Sequence, residues 1–207
     1  MASSSTEKAP AEKTLGEQAP AVSTSSRAEP ADGIVIAGPE SAQEIAALAA
    51  ATFPLACPPS VTGADVQAFV DEVLSPARFT EYLADTDRTV LLARRGRTAV
   101  AYAMLVHTPP ADPHIAQVLV PGPAPATEIS KFYADSGAHG TGVAAALMDA
   151  VMQACADRGH TCAWLGVNQQ NRRAQRFYRK HGFEEVGTKT FVVGADRHDD
   201  FVMARAL

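Results

Sequence analysis

The pattern of apolar and polar positions changes its period once within residues 127–156, and this change predicts a strand, a turn and a helix. Residues 127–134 place β-branched and aromatic side chains at alternating positions, which is typical of a strand. A loop with glycines follows, and from Val143 to Arg158 apolar residues recur at helical spacing. We predict that Gly159 caps this helix, since glycine readily takes the left-handed conformation found at helix ends.

The apolar pattern of the remaining chain predicts further helices and strands. On the N-terminal side they are a strand at 33–37, a helix that is capped by Ser41 and extends to about residue 51, and a helix at 64–74. A short helix follows with Ser75 as its cap and Pro76 in its first turn, and then a hairpin with strands at 89–94 and 98–107. On the C-terminal side they are a strand at 161–167, a helix capped by Asn171 and closed by Gly182, and strands at 183–193 and 200–205 around a loop at 194–199. Residues 53–59 and 108–126 are expected to be irregular because prolines interrupt them. This order predicts an α/β protein of the α+β type, with a central mixed sheet flanked by helices on both faces.

Composition separates the first residues from the rest of the chain. Residues 1–32 contain almost no large apolar side chain, too little to offset the entropy lost on ordering. We therefore predict a disordered Ala/Ser/Pro-rich tail at residues 1–32 and one folded domain at residues 33–207. The 207 residues include 46% hydrophobic positions, which suffices for the core of such a domain.

Charge and cysteine content exclude several classes of protein. The net charge is −5 and the pI is about 5.6, so nothing indicates a nucleic-acid partner. No run of residues approaches the roughly 18 apolar positions of a membrane span. The three cysteines form no C-x-x-C pair and have no histidine at ligand spacing. We therefore expect reduced thiols, no metal site and a cytoplasmic protein.

The loop after the predicted strand has the chemistry of an anion site. Gly137, Gly140 and Gly142 allow the backbone to take positive φ and to approach a ligand closely. The first amides of the following helix have no partner within it and lie at the positive end of the helix dipole. A phosphate is the ligand that this arrangement favours.

Three phosphate-binding patterns can be compared with this loop. A P-loop requires Lys and then Ser or Thr after its second glycine, but Val143 and Ala144 follow Gly142, so this pattern is excluded. A dinucleotide fingerprint, G-x-G-x-x-A, starts at Gly140, but the next strand ends at Asn168 without the acidic residue that would hold a ribose. The third pattern is an acyl-CoA loop, which residues outside the loop also favour.

Residues 139–144, H-G-T-G-V-A, look like the loop Arg or Gln, x, x, Gly, x, Gly or Ala that binds pyrophosphate in the GNAT superfamily of acetyl-CoA-dependent N-acetyltransferases. The preceding E-I-S-K-F-Y-A, residues 128–134, resembles the family's strand in the same register. A second family motif, N-x-x-A-x-x-F-Y-x-x-x-G-F, is matched at every specified position by residues 171–183. Two motifs in the family's order and spacing make chance agreement improbable.

Two positions depart from the family pattern: His139 stands where Arg or Gln is usual, and Ser136 where Pro is usual. The resemblance implies the GNAT fold, in which the strand ending at Ala134 and its neighbour at residues 161–168 splay apart. Acetyl-CoA would insert between them as a cosubstrate, with its pyrophosphate on the backbone of the glycine loop and its pantetheine arm along the strand. The cofactor-binding residues that the resemblance implies are Phe132, Tyr133, Ala134, His139, Gly140, Thr141, Gly142, Val143, Ala144, Asn171 and Arg173.

Arg172 and Arg173 follow directly after the helix cap Asn171. A cation in the first turn of a helix interacts unfavourably with the helix dipole, at a cost of about 0.3 to 1 kcal/mol. A bound anion close to the two arginines would make their position favourable. We hypothesise that the anion is the adenosine 3′-phosphate of CoA. An ordinary solvated helix face is the alternative.

Proton transfer suggests two catalytic residues. An alkylammonium with a pKa of about 10.4 is not nucleophilic at pH 7, so a base or a water relay must take its proton. Glu128 is the candidate base, and it shares strand parity with Phe132 and Ala134. Tyr178 lies on the same helix face as Asn171, and in the family the matching tyrosine is the usual general acid for the departing thiolate. A surface carboxylate and a buried core tyrosine are the alternatives.

The predicted function is transfer of an acetyl group from acetyl-CoA to a primary amine of a small molecule or peptide, by direct attack in a ternary complex. The acids that are candidates for attracting this amine are Asp65, Asp71 and Glu72, and near the closing hairpin Asp196, Asp199 and Asp200. For the first three, a solvated helix face is the favoured interpretation. A noncatalytic acyl-CoA-binding module and an NAD-binding domain are the alternatives, and a homodimer is left open. Neither nucleic acid nor membrane is expected as a partner.

Overall fold

In the computed structural model, residues 32–58, 60–119, 125–193 and 196–207 are described, and they form seven strands and six α-helices. The strands are Gly33–Ile36 (β1), Arg88–Arg95 (β2), Thr98–Val106 (β3), Ala126–Ala134 (β4), Cys162–Asn168 (β5), Glu184–Val193 (β6) and Asp196–Ala206 (β7). The helices are Ala42–Thr52 (α1), Gly63–Val73 (α2), Pro76–Ala84 (α3), Pro113–Leu119 (α4), Val143–Asp157 (α5) and Arg172–Lys180 (α6). The predicted tail lies, apart from Asp32, outside the described residues.

The seven strands form one sheet in the order β1-β2-β3-β4-β5-β7-β6. Neighbouring strands are antiparallel except for β4 and β5, which are parallel. Parallel neighbours need a long crossover connection, and α5 supplies it. The predicted mixed sheet is confirmed, and the parallel pair at its centre begins with the strand that leads into the glycine loop.

Helices cover both faces of the sheet, as predicted. On one face α5 buries Leu147, Val151 and Cys155 completely against the strands. On the other face α1 and α3 enclose a second core that includes Ile45 and Phe79. Burying one such side chain is worth about 1.5 to 3 kcal/mol, so both layers hold the central strands in place. None of the helices in the described ranges combines the length and the apolar character needed to cross a bilayer.

The predicted capping chemistry is confirmed at several helix ends. Ser75 Oγ accepts a hydrogen bond from the Arg78 amide at 3.4 Å, and Asn171 Oδ1 accepts one from the Ala174 amide at 3.0 Å. Gly159 follows α5 with a φ of 76°. These local signals set the ends of α3, α5 and α6 because each satisfies or redirects backbone groups that the helix leaves without a partner.

Three local predictions are wrong. Ser41 does not cap α1 with its side chain, because it ends a 3₁₀ turn, Pro39–Ser41, that runs directly into the helix. The proline-interrupted segment after α1 is partly regular, since Phe53–Ala56 forms a second 3₁₀ turn with proline near its start. The closing hairpin is longer than predicted, because β7 begins at Asp196 rather than at Asp200.

Helix α4 lies inside the segment that was predicted to be irregular. It has 7 residues and buries Ile115. The helix packs against β6 at Gly187. Val118 Cγ2 lies 3.4 Å from the position that a Cβ at Gly187 would occupy. A helix of this length is unstable alone in water, so the contact with β6, rather than its own sequence, accounts for it.

A buried polar network lies where β4 begins, at the end opposite to the glycine loop. Thr127 Oγ1 lies 3.1 Å from His107 Nδ1 and 2.8 Å from His160 Nδ1. His107 Nε2 in turn lies 3.0 Å from Thr89 Oγ1. The hydroxyls can donate or accept, so the network accommodates neutral imidazole rings.

We expect this network to make the protein sensitive to acid. Burial lowers the pKa of His107 to about 4, and the charges of Arg158 and His160 act in the same direction, whereas Asp87 opposes them. The unfolded chain therefore takes up a proton at higher pH than the folded one. Stability should fall as the pH drops below about 6.5, by about 2 kcal/mol between pH 7 and pH 5. Urea unfolding at both pH values measures this loss, and an equal loss in His107→Gln would contradict the role of His107.

Candidate active site

The two central strands separate at the end that leads into the glycine loop. β4 and β5 pair over three residues each, 126–128 and 162–164. β4 then continues to Ala134 beside β3, and β5 continues to Asn168 beside β7. Within the described chain the diverging segments have no ladder pairing with each other, so their facing edges line a wedge-shaped gap. The predicted splay of the sheet is confirmed.

A β-bulge in β4 determines which side chains face each side of the sheet. Ile129 and Lys131 pair with successive residues of β3, so Ser130 is an extra residue. As a result Ile129 and Phe132 both pack on the α5 face, whereas Lys131 packs over an aromatic ring of the opposite core. Glu128 alternates with Ile129 and therefore points to that opposite face. The predicted parity of Glu128 with Phe132 is wrong, because the bulge inverts the alternation between them.

The glycine loop leads into α5 with its amides available. Gly140 and Gly142 have φ values of 76° and 86°, where a side chain would be strained. The Ala146 amide donates to the Gly142 carbonyl at 3.0 Å and starts the helical hydrogen bonds. The three amides before it, at residues 143–145, donate to no acceptor in the described part of the chain. This geometry fits a phosphate, because unpaired amides and the helix dipole point to the same place.

A cavity of about 440 Å³ opens where the strands diverge, beneath α2 and the 3₁₀ turn after α1. This volume lies within the range of small-molecule sites. One wall is apolar and includes Phe53, Cys57, Phe69, Val73 and Leu74. The opposite wall is formed by the sheet and α6. The sequence-predicted residues that line it are Glu128, Phe132, Tyr133, Asn171 and Tyr178.

Tyr178 reaches this cavity from α6. Tyr178 is 8% exposed. Its ring packs edge-on against the ring of Phe132, with the two centroids 6.2 Å apart. Burial raises the pKa of the Tyr178 phenol above its ordinary value. The phenol is therefore protonated at neutral pH and can donate a hydrogen bond into the cavity.

A charged side chain that sequence reasoning missed meets Glu128 in the cavity. Lys189 Nζ, from β6, lies 3.6 Å from Glu128 Oε1 and 5.1 Å from the centroid of the Trp164 ring. Asp200 of β7 is the register partner of Lys189, lines the same cavity and is 6% exposed. These residues come from four strands, so no local motif could have indicated that they meet.

Several sequence candidates lie away from the cavity. Asp71 and Glu72 are exposed on α2, and Asp65 accepts a hydrogen bond from the residue that caps this helix, which favours a solvated helix face. Arg172 and Arg173 are exposed in the first turn of α6. Within the described residues these two arginines form no ion pair, so both are available to an anion.

Sequence comparison relates the chain to one protein family and to two mycobacterial proteins. The profile of the Acetyltransferase (GNAT) family matches residues 48–183. The chain is 49% identical over 166 residues to an uncharacterized N-acetyltransferase of Mycobacterium tuberculosis, which covers 80% of this chain and 97% of that protein. An uncharacterized N-acetyltransferase of Mycobacterium bovis gives the same identity and coverage.

Solved structures share the fold. PaiA N-acetyltransferase from Thermoplasma acidophilum, in complex with coenzyme A, matches with a TM-score of 0.67 at 16% identity, over 84% of this chain and 99% of that chain. A GCN5-related N-acetyltransferase from Rhodopseudomonas palustris gives a TM-score of 0.63 at 18% identity, over 88% and 99% of the two chains. At these identities the likeness concerns the path of the backbone.

Proposed function

The chain belongs to the acetyltransferase (GNAT) family, whose enzymes use acetyl-CoA, and from this premise we propose that it acetylates a primary amine of a small molecule or peptide. The amine attacks the thioester directly while both substrates are bound. The observation that carries this proposal is the gap between β4 and β5, which opens into one cavity lined by Glu128 and Tyr178.

Backbone groups hold acetyl-CoA at its pyrophosphate and along its pantetheine arm. The pyrophosphate lies on the loop 139–144, where the amides of Gly142 and the first turn of α5 are unpaired within the described chain. The pantetheine arm follows residues 132–134 into the gap and takes the backbone hydrogen bonds that β5 does not supply there. Asn171 adds a contact from the start of α6. Holding the thioester beside the amine in this way can lower the barrier by roughly 7 to 11 kcal/mol.

Attack on the thioester places a negative charge on its carbonyl oxygen. The bulge at Ser130 interrupts the β3–β4 ladder beside the cavity. A peptide N–H released from that ladder can stabilise the oxyanion without help from any side chain. The bulge thus has a chemical role as well as a geometric one.

Two side chains move protons. Glu128 takes the proton of the bound ammonium, directly or through a water, and the Lys189 ammonium 3.6 Å away holds the carboxylate in place. Tyr178 donates to the departing thiolate from the other side of the gap. Its phenol carries the proton at neutral pH because burial raises its pKa.

A thiol-release assay tests the proposed function. Acetyl-CoA is mixed with polyamines, aromatic amines, amino acids and short peptides, and the free CoA thiol is measured against hydrolysis alone. We expect release with at least one class, a product heavier by one acetyl group in mass spectrometry, and a slower rate in Glu128→Gln. Hydrolysis alone with every class would overturn the proposal in favour of a noncatalytic acyl-CoA-binding module.

The exposed arginines at the start of α6 provide an independent test of how the cofactor binds. We propose that Arg172 and Arg173 contact the adenosine 3′-phosphate of CoA, because both cations lie in the first turn of α6, where the positive end of the helix dipole otherwise repels them. Replacing both by glutamine should weaken acetyl-CoA binding by about three- to tenfold, as expected for exposed ion pairs. Binding of 3′-dephospho-acetyl-CoA should not change.

Isothermal titration calorimetry with both ligands measures this difference. Arg176→Gln combined with Lys180→Gln is the charge-matched control, because both residues are exposed on the same helix. Equal weakening for the two ligands in the Arg172 and Arg173 double variant would contradict the assignment to the 3′-phosphate.

A further inference from the structure

We propose that the acetyl acceptor is a free α-amino acid with an apolar side chain, and that Lys189 holds its carboxylate while Glu128 receives its ammonium. This inference rests on the proposed function, since it identifies the amine to which the acetyl group passes. Three features of the cavity support it: the placement of Lys189, its available hydrogen-bond donors and the apolar wall opposite.

Lys189 reaches the cavity from the edge of the sheet because Gly166 leaves room for it. Lys189 lies on the edge strand β6, and its side chain extends past β7 to lie over Gly166 of β5. A Cβ at residue 166 would lie 2.3 Å from Lys189 Cε and 3.0 Å from its Nζ. Any residue other than glycine would therefore displace the lysine side chain. The glycine and the lysine together bring an ammonium to the centre of the sheet.

The Lys189 ammonium has donors available to a ligand. An ammonium carries three N–H donors. Its ion-pair partner is the Glu128 carboxylate at 3.6 Å, which is too long for a hydrogen bond, the Trp164 ring lies at 5.1 Å, and Asp200 is its neighbour across the β6–β7 ladder. The side chain is 22% exposed and lines the cavity. An anionic oxygen on a bound substrate would satisfy these donors with charge-assisted hydrogen bonds.

Lys189 and Glu128 match an α-amino acid in charge and in spacing. A single carbon separates the ammonium of such a ligand from its carboxylate, so a complementary site must present opposite charges side by side. Lys189 Nζ and Glu128 Oε1 are 3.6 Å apart on the same wall. A zwitterion laid across them places its carboxylate at Lys189 and its amine at Glu128, the group proposed to deprotonate it.

A carboxylate-free amine fits this wall less well. Bound at Glu128, its ammonium would lie beside the ammonium of Lys189, and like charges at this distance repel each other. Asp200 is buried next to Lys189, lines the same cavity and supplies a further negative charge from the protein. The carboxylate of an amino acid adds the compensating charge on the ligand side, where Lys189 is exposed to the cavity.

The wall opposite favours an apolar amino-acid side chain. Phe53 and Phe69 stack there with ring centroids 4.4 Å apart and an interplanar angle of 10°. Tyr133 meets Phe53 edge-on at 6.4 Å, and Val73 lines the cavity beside them. A branched or aromatic side chain would remove apolar surface from water at this wall, whereas a charged one would lose its hydration without gaining a partner.

Lys189→Met tests the inference, because methionine keeps the length of the side chain and removes its charge. Acetyl transfer is measured for leucine and phenylalanine, for the matching amines 3-methylbutylamine and 2-phenylethylamine, and for leucinamide. In the wild type, kcat/KM for each amino acid should exceed that for its amine by about tenfold or more. In Lys189→Met this ratio should fall to about one, mainly through KM of the amino acid. If the substitution lowers activity toward the amino acid and its amine equally, this ratio does not change.

Two further variants separate charge from folding. Lys180→Met removes an exposed lysine on α6 and should leave the ratio unchanged. Gly166→Ala keeps the ammonium but displaces it, and should lower the ratio as Lys189→Met does. An unchanged ratio in Lys189→Met, or a wild-type preference for the carboxylate-free amines or for leucinamide, would overturn the inference.

A binding measurement distinguishes failure of this inference from failure of the proposed function. If CoA-saturated wild type binds leucine in calorimetry and Lys189→Met binds it about tenfold more weakly, the carboxylate site stands even without acetyl transfer. If only carboxylate-free amines are acetylated, the proposed function stands and the inference fails. Absence of both transfer and binding overturns both.

Discussion

Replacing Tyr178 by phenylalanine should lower kcat for acetyl transfer by about 100-fold or more, with little change in KM for acetyl-CoA. The change removes the one hydroxyl with which this residue can donate a proton from the cavity wall. General acid–base catalysis contributes about 10²- to 10⁴-fold, so its loss should affect the chemical step rather than binding. Steady-state kinetics with saturating amine and varied acetyl-CoA measures both parameters.

The surroundings of Tyr178 make this substitution easy to interpret. Its ring packs edge-on against Phe132, Phe177 and Phe183, and phenylalanine preserves these contacts. Burial raises the pKa of the Tyr178 phenol, so its deprotonation should not reduce the wild-type rate below about pH 10. A decrease in kcat at lower pH must come from another group.

Tyr102→Phe is the matched control for Tyr178→Phe. Tyr102 is fully buried, does not line the cavity, and its hydroxyl has no hydrogen-bond partner among the described residues. Loss of that hydroxyl should leave kcat within about twofold and should not lower stability, because no hydrogen bond is broken. If Tyr178→Phe retained wild-type kcat, the thiolate would have to be protonated by another group or by water.

Gly142→Val should weaken acetyl-CoA binding by about ten- to hundredfold. Gly142 has a φ of 86°, and a β-branched residue held there is strained by about 1 to 3 kcal/mol. No other atom lies within 4 Å of the added Cβ, so backbone conformation rather than a clash causes the strain. The loop can relieve it by rotating Gly142, which would move the amides of residues 143–145 away from the pyrophosphate. Calorimetric titration with CoA measures the loss.

Gly96→Val separates the loss of affinity from a loss of stability. Gly96 lies in the β2–β3 hairpin with a φ of 55° and also has open space around the added Cβ. Valine there should lower the unfolding temperature in the way that Gly142→Val does, but CoA affinity should stay within about twofold. Equal affinities for Gly142→Val and the wild type would show that the loop does not hold the pyrophosphate.

Elements with strong local signals could be predicted from the sequence. The strand, loop and helix at residues 127–158 are defined by alternation, by glycines at positive φ and by helical spacing, and Asn171 caps α6 with its own side chain. The two family motifs also allowed the separation of the two central strands to be predicted. Membership of the GNAT family then removed the dinucleotide-binding alternative, which the loop alone had left open.

Features that depend on distant partners could not be predicted. The bulge at Ser130 exists only in the register of β4 against β3, so strand alternation assigned Glu128 to the wrong face. Helix α4 depends on its contact with β6. Lys189 enters the cavity because its strand lies at the edge beyond β7 and because Gly166 has no side chain. In each case, contacts between strands or elements distant in sequence determine the conformation or the position of the segment.

The pairing of β4 with β5 over only three residues has a further consequence if acetyl-CoA fills the gap beyond it as proposed: the stability of the enzyme then depends on the concentration of its cosubstrate. A ligand that binds only the folded protein stabilises it, and at 100 times its Kd it adds about 2.7 kcal/mol to the free energy of unfolding. This is a large share of the few kcal/mol by which a domain is stable. When acetyl-CoA is scarce, a cell would therefore hold an enzyme that is not only idle but also degraded sooner.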